Sequence, residues 1–180
     1  MATTVNGWAV LESNRTEGEL PRLRKWIIPG TGRHFYLRDG ACGFVLAHML
    51  LYFHEKVERL DLGTWDDWGW AVRPVRGQTS GYSNHAGGVA CDANATRHPL
   101  GVSIYKTFTD SQIRKIRRRL RLYRGLVIWG GGWTRPDGMH FELADTTLSR
   151  VERLAKAMML TRRGQRILKA NPGAKYVINS

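Results

Sequence analysis

The 180 residues, 42% hydrophobic and 24% charged, suffice for one buried core and are too apolar for a disordered chain. Lys and Arg outnumber Asp and Glu by 28 to 15, a formal charge of +13, which attracts polyanions (nucleic acid, anionic lipid or the carboxylate- and phosphate-rich bacterial wall) without choosing among them. Two cysteines, Cys42 and Cys91, make no disulfide framework, and the longest apolar run, 41–53, is interrupted by His48 and falls short of the ~20 residues of a membrane span.

The opening stretch from Met1 to Trp8 has no basic segment followed by an apolar one, so the expectation is a protein made in the cytoplasm without a signal peptide. Residues 1–38 read as an irregular lead-in with extended pieces around Trp26-Ile27-Ile28 and Phe35-Tyr36-Leu37. The first strong helix is predicted over 41–59, with Phe44, Ala47, Leu50, Leu51, Phe53 and Val57 on a broad apolar face and Asp61-Leu62-Gly63 as its stop. From Trp65 to Ala95 the pattern changes to Gly-rich loops and short strands. A second helix opens at Thr109, where Thr109-Asp110-Ser111-Gln112 has the form of a capping box, and Ile113, Ile116, Leu120 and Tyr123 recur at helical spacing. Leu126–Trp129 and Met139–Leu143 read as strands, the second with Met139, Phe141 and Leu143 on one face and His140 and Glu142 on the other. Helices over 146–160 and 161–170 follow, and Asn171-Pro172-Gly173 stops the last. Helices and strands are segregated rather than alternating, which predicts a single α+β domain over 1–180, with its core motifs in 65–143 and C-terminal helices in 146–171.

Two segments concentrate metal-ligating chemistry. In Ser83-Asn84-His85-Ala86-Gly87-Gly88-Val89-Ala90-Cys91-Asp92, a His and an Asp stand seven apart. On a continuous strand they would face opposite ways, so they converge only if the chain turns between them, and Gly87-Gly88 is where it would. Val89, Cys91 and Ala93 then face the core. The second segment, from Trp129 to Glu142, supplies His140 as a third donor and two further carboxylates, Asp137 and Glu142. Three donors with an open fourth position describe a catalytic zinc site, and a carboxylate that is not a ligand is needed to move the water's proton. Spacing alone does not rank Asp137 against Glu142.

Ser-x-His-x-x-Gly-x-Ala-x-Asp, followed by Asp-x-x-His-Phe-Glu behind a Trp-Gly-Gly run, resembles the D-alanyl-D-alanine carboxypeptidase and L-alanyl-D-glutamate endopeptidase family, the VanX/VanY-like metallopeptidases that include many phage endolysins. Ser83, His85, Gly88, Ala90, Asp92, Asp137, His140, Phe141 and Glu142 stand at matching positions. The resemblance implies zinc on His85, Asp92 and His140, Asp137 as general base, and Glu142 as a partner that orients a ligand. It also implies an Arg for the oxyanion, best matched by Arg73 with Arg76 as rival. Ser83 is read equally as a substrate contact or as a stabiliser of the turn before His85. This chain departs from the family at Cys91, where Ile is common, and at Gly132, where an Asp often stands in the Trp-Gly-Gly segment.

The implied substrate is bacterial peptidoglycan, with hydrolysis at L-Ala–D-Glu or D-Ala–D-Ala. The implied setting is a phage lysin released by a holin, or a virion-associated enzyme. The basic helix residues Arg114, Lys115, Arg117, Arg118, Arg119, Arg121 and Arg124 suggest adhesion to anionic wall polymers, and no recognisable nucleic-acid motif accompanies them. Trp65, Trp68 and Trp70 are read as core and loop packing, and His34, His48, His54 and His98 as packed or solvated. The competing readings are a non-catalytic wall-binding or virion structural protein that keeps zinc for stability, and a nucleic-acid-binding protein driven by its charge.

Overall fold

The computed structural model describes residues 2–11, 22–75, 81–144 and 147–179. Helix α1 (Ala41–Lys56) organises it: Ala41 through Leu51 and Phe53 are all buried, so the helix is apolar on every side rather than on one broad face. A helix of that kind is stable only when other elements cover it all round. On one side lies the antiparallel hairpin of β1 (Leu23–Ile27) and β2 (His34–Arg38), paired in a register that sets Trp26 opposite Phe35. The two extended pieces expected in the lead-in thus form a small sheet, and Trp26 packs edge-on against Phe44 of α1 at 6.3 Å.

The second sheet has the order β3-β5-β4, all antiparallel: β3 (Ala90–Asp92), β4 (Val127–Trp129) and β5 (His140–Leu143). Every residue of the central strand β5 is buried. Phe141 points at α1, meeting Phe53 at 5.8 Å, and lies nearly parallel to Trp129. Met139, expected on that same face, precedes the strand and instead walls a surface cleft. Helices α2 (Ile104–Thr107) and α3 (Asp110–Leu122) link β3 to β4. The Thr109–Gln112 capping box is formed in both directions, and Ile113, Ile116 and Tyr123 are buried. Helices α4 (Leu148–Met159) and α5 (Arg162–Ala170) close over α1.

Two boundaries differ from expectation. α1 stops three residues early because the amides of Val57 and Glu58 both return to the carbonyl of Phe53. The Glu58 carboxylate is then taken by Asn94 and by His98, which itself stacks on Phe108. Asn171-Pro172-Gly173 ends α5 as expected, yet a further helix, α6 (Ala174–Asn179), follows, burying Ala174 and Ile178. Its six residues are too few to show a periodic pattern. No described helix is long and apolar enough to cross a membrane.

Gly88 shows how tightly the two sheets meet. Its φ is +65°, and a Cβ there would stand 2.7 Å from the backbone nitrogen of Arg38 on β2 and 2.7 Å from Leu23. At Gly132 a Cβ would meet nothing. Gly88→Ala is expected to destabilise the fold by at least about 2 kcal/mol, a fall of roughly 4–8 °C in Tm, whereas Gly132→Ala stays within about 0.5 kcal/mol; thermal denaturation followed by circular dichroism checks both.

Candidate metal centre

Each donor of the site is brought in by a different local device. Ser83 caps a single 3-10 turn, Asn84–Gly87, accepting the amide of His85, and Gly88 then reverses the chain in the left-handed region. This is the turn expected between His85 and Asp92, and beyond it Val89, Cys91 and Ala93 are fully buried. Asp92 ends β3 with its backbone held on both sides: it pairs with His140 of β5, and its N–H and C=O exchange hydrogen bonds with Trp68. The register therefore places Asp92 and His140 directly opposite, with side chains on one face.

His85 Nε2 lies 3.2 Å from both Asp92 Oδ1 and His140 Nδ1, and His140 Nδ1 lies 2.8 Å from Asp92 Oδ1. The three donor atoms fall within 4.8 Å of one another, and all three residues are buried. The far nitrogen of each ring is already committed. His85 Nδ1 donates to the carbonyl of Gly69 at 2.6 Å, and His140 Nε2 donates to Glu142 Oε2 at 2.8 Å. These bonds direct the remaining nitrogens, Nε2 of His85 and Nδ1 of His140, at the same point. Glu142 is itself fastened by the side-chain amides of Asn84, at 2.8 Å, and Asn6, at 3.0 Å.

The electrostatics describe a place built for a cation. Burial alone would raise the Asp92 pKa, but the two imidazoles hold it well below the usual carboxylate range. Burial would likewise lower that of His140, yet hydrogen bonds from its ring to Asp92 and Glu142 push it up to about 10. Two imidazole nitrogens and one carboxylate oxygen, converging with their outer partners already made, fit zinc by donor type and number.

Residues 76–143 match the family model of D-alanyl-D-alanine carboxypeptidase, the VanX-like zinc peptidases. The match and the His85–Asp92–His140 cluster together support a zinc metallopeptidase. The matched segment holds the whole donor set together with Asp137 and Glu142. Neither the curated proteins nor the solved structures contain a significant match to the chain.

The peptidase opens its metal centre onto a cleft with two adjoining lobes, about 510 and 290 Å3, both reaching His85, Asp92, Arg73, Arg135, Leu100 and Met139. The smaller lobe also takes in Ser83, Asp137, His140, Glu142 and Trp133. Arg73 Nη2 stands 3.8 Å from Asp92 Oδ2; Arg76 lies outside the described residues. Trp65 and Trp68, expected as packing, are 49% and 58% exposed, and Trp68 lines the larger lobe. The backbone of Trp68 exchanges two strand-like bonds with Asp92, which leaves its ring to the cleft side. Trp65 still packs, edge-on to His34 at 5.1 Å and beneath the Arg33 guanidinium at 4.6 Å, and Trp70 is half-buried with its indole N–H on the carbonyl of Leu11.

Sequence reasoning missed the anchors of the imidazoles. Gly69 acts through its carbonyl, and a Cβ there would stand 2.4 Å from the carbonyl oxygen of Tyr36, so only Gly fits the approach. Asn84 lies inside the first motif as an unassigned residue, whereas Asn6 is 136 positions from the carboxylate it holds. Cys91 is a fully buried free thiol, as expected of a small core residue.

Glu142→Gln should weaken zinc binding about 10–100-fold without unfolding the chain, measured by competition with a chromogenic chelator. Because the metal-free His140 holds its proton up to about pH 10, loading must displace it. Zinc titrated into weakly buffered apo-protein at pH 7.5 should release on the order of one proton per metal, a quantity that falls as the pH is raised toward 10.

Proposed function

We propose that the peptidase hydrolyses the stem peptides of bacterial peptidoglycan, at L-Ala–D-Glu or D-Ala–D-Ala, as a cell-wall lytic enzyme of the phage endolysin type. The observation that carries this reading is a three-donor centre opening directly onto a peptide-sized cleft, which suits turnover better than a closed site kept for stability. The substrate class follows from the family match over residues 76–143, and the net charge of +13 suits an anionic wall.

His85, Asp92 and His140 would hold zinc, which when bound acidifies water and polarises a carbonyl. Asp137 lines the smaller lobe together with the three donors, while Glu142 serves as the anchor of His140, and this placement supports Asp137 as the base. Asp137 takes the proton of the attacking water and returns it to the leaving amine. Its placement is fixed by the backbone, since its N–H bonds the carbonyl of Gly130 and its carbonyl accepts from His140 N–H. Arg73, beside Asp92 and on the wall of both lobes, offers its guanidinium to the oxygen that gains charge. Ser83 both caps the His85 turn and lines the lobe, so its hydroxyl serves the turn first and reaches substrate second. Gly132, exposed and unobstructed, leaves open surface where a carboxylate would change charge at the cleft rim beside Trp133.

Digestion of purified peptidoglycan, with and without chelator, should release stem peptides only when metal is present, and their masses identify the bond cut. Zinc bound one-to-one with no peptide released would favour the structural alternative. Asp137→Ala should keep zinc and lose about 10²–10⁴ in kcat, and Arg73→Gln about 10²–10³. Near wild-type turnover in Asp137→Ala would transfer the role of base elsewhere.

A further inference from the structure

Away from the cleft, a concavity of about 900 Å3 opens between the end of α1 and the start of α5. Lys56, Arg59, Arg119, Arg162, Arg163 and Arg166 line it, with Glu55 as the one carboxylate among the described residues. Glu55 is already shared by Arg163, at 2.6 Å, and Arg166, and Arg59 is paired with Asp61. Arg119 finds no carboxylate there: it spans the rings of Tyr52 and Tyr123 and approaches His48. His48 is wholly buried, and burial with Arg119 and Arg163 nearby lowers its pKa to about 3, so the floor carries neither positive charge of its own nor any negative charge to offset the walls.

A second hollow of about 490 Å3 shares Arg119 and Thr161 with the first and adds Arg124, Arg150 and Arg153 above Leu122, Leu126 and Leu154. No Asp or Glu is among its described lining residues. Joined, the two form a trough whose described lining residues include nine cations, six and a further three, of which Arg59, Arg163 and Arg166 are paired with Asp61 or Glu55. Packing like charges together opposes folding unless a counter-charge arrives from outside. The joined shape suits a chain carrying charge at intervals rather than a single ion. Among the described residues no Trp, Tyr or Phe lines either hollow, so they offer no platform for stacked bases, while the aliphatic floor suits saturated carbon.

We propose that this trough is a binding site for a linear phosphodiester polymer of the bacterial wall, a polyol- or sugar-phosphate chain, distinct from the metal cleft with which it shares no lining residue. The phosphate chemistry rests on the trough alone; the wall as its source rests on the wall-peptidase reading. The site is not the outer face of the basic helix that the sequence suggests: of the seven basic residues in question only Arg119 and Arg124 line it, and Arg114, Lys115, Arg117, Arg118 and Arg121 are exposed elsewhere.

The test is co-sedimentation of the full chain with purified walls that carry the phosphodiester polymer or have been stripped of it by acid. A triple variant, Arg153→Gln/Arg162→Gln/Arg166→Gln, changes three exposed trough residues, and Arg114→Gln/Arg117→Gln/Arg118→Gln removes the same charge from α3. Retention on intact walls should fall at least tenfold for the trough variant and change less than twofold for the α3 variant. The wild type on stripped walls should behave like the trough variant on intact ones, and hydrolysis of soluble stem peptides should be unchanged in both variants. Equal losses in the two variants would reduce the effect to net charge and overturn the proposal. So would tighter, trough-dependent binding of a 20-base-pair duplex, which would assign the trough to nucleic acid. If retention follows expectation while the wild type cuts no stem peptide, the peptidase reading fails and the trough stands; the reverse result sinks the trough alone.

Discussion

The backbone pairing of Asp92 with His140 is the constraint on which the site depends. It lies at the end of a three-residue ladder between β3 and β5, and it sets two donors side by side before any side chain chooses a rotamer. A slip of one residue would turn Asp92 and His140 to the core and bring Cys91 and Phe141 to the cleft. Phe141, wedged between Phe53 and Trp129, opposes that slip more strongly than the three ladder pairs could alone. Core packing and metal-site geometry are thus two faces of one strand.

Around that pair the polar groups are arranged from the outside inward. Asn6 and Asn84 hold Glu142, Glu142 holds His140, and the carbonyl of Gly69 holds His85. Each link orients a group that cannot orient itself, because imidazole and carboxylate rotate freely unless both ends are engaged. Buried polar chains of this kind favour one arrangement when every member is satisfied.

Much of this was legible in the residues. The seven-residue interval from His85 to Asp92 demanded a turn, Gly87-Gly88 offered one, and the alternation in 140–143 separated Phe141 and Leu143 from His140 and Glu142. The Thr109 cap was readable because its chemistry is local. What could not be read is long-range or carried by main chain. The Gly69 carbonyl has no side-chain signature, and Asn6 belongs to a segment with no periodicity. The exposure of Trp68 goes with its backbone bonds to Asp92, which the apolarity of indole does not reveal. α1 read as one-sided because a helix buried all round leaves no polar face to reveal its true surroundings.

The donors also bear on how long the molecule lasts. His85 and His140 are 55 positions apart, with Asp92 between them. A cation gripped by all three would act as a reversible cross-link over that interval, and closing a loop of that length covalently is worth roughly 4 kcal/mol in the unfolded chain. The fold carries no disulfide among its described residues, its two thiols being buried and free. Metal would then add a strong clasp between the Ser83 turn and the second sheet to the Asn84–Glu142 hydrogen bond, and resistance to heat and to foreign proteases would rise and fall with metal supply.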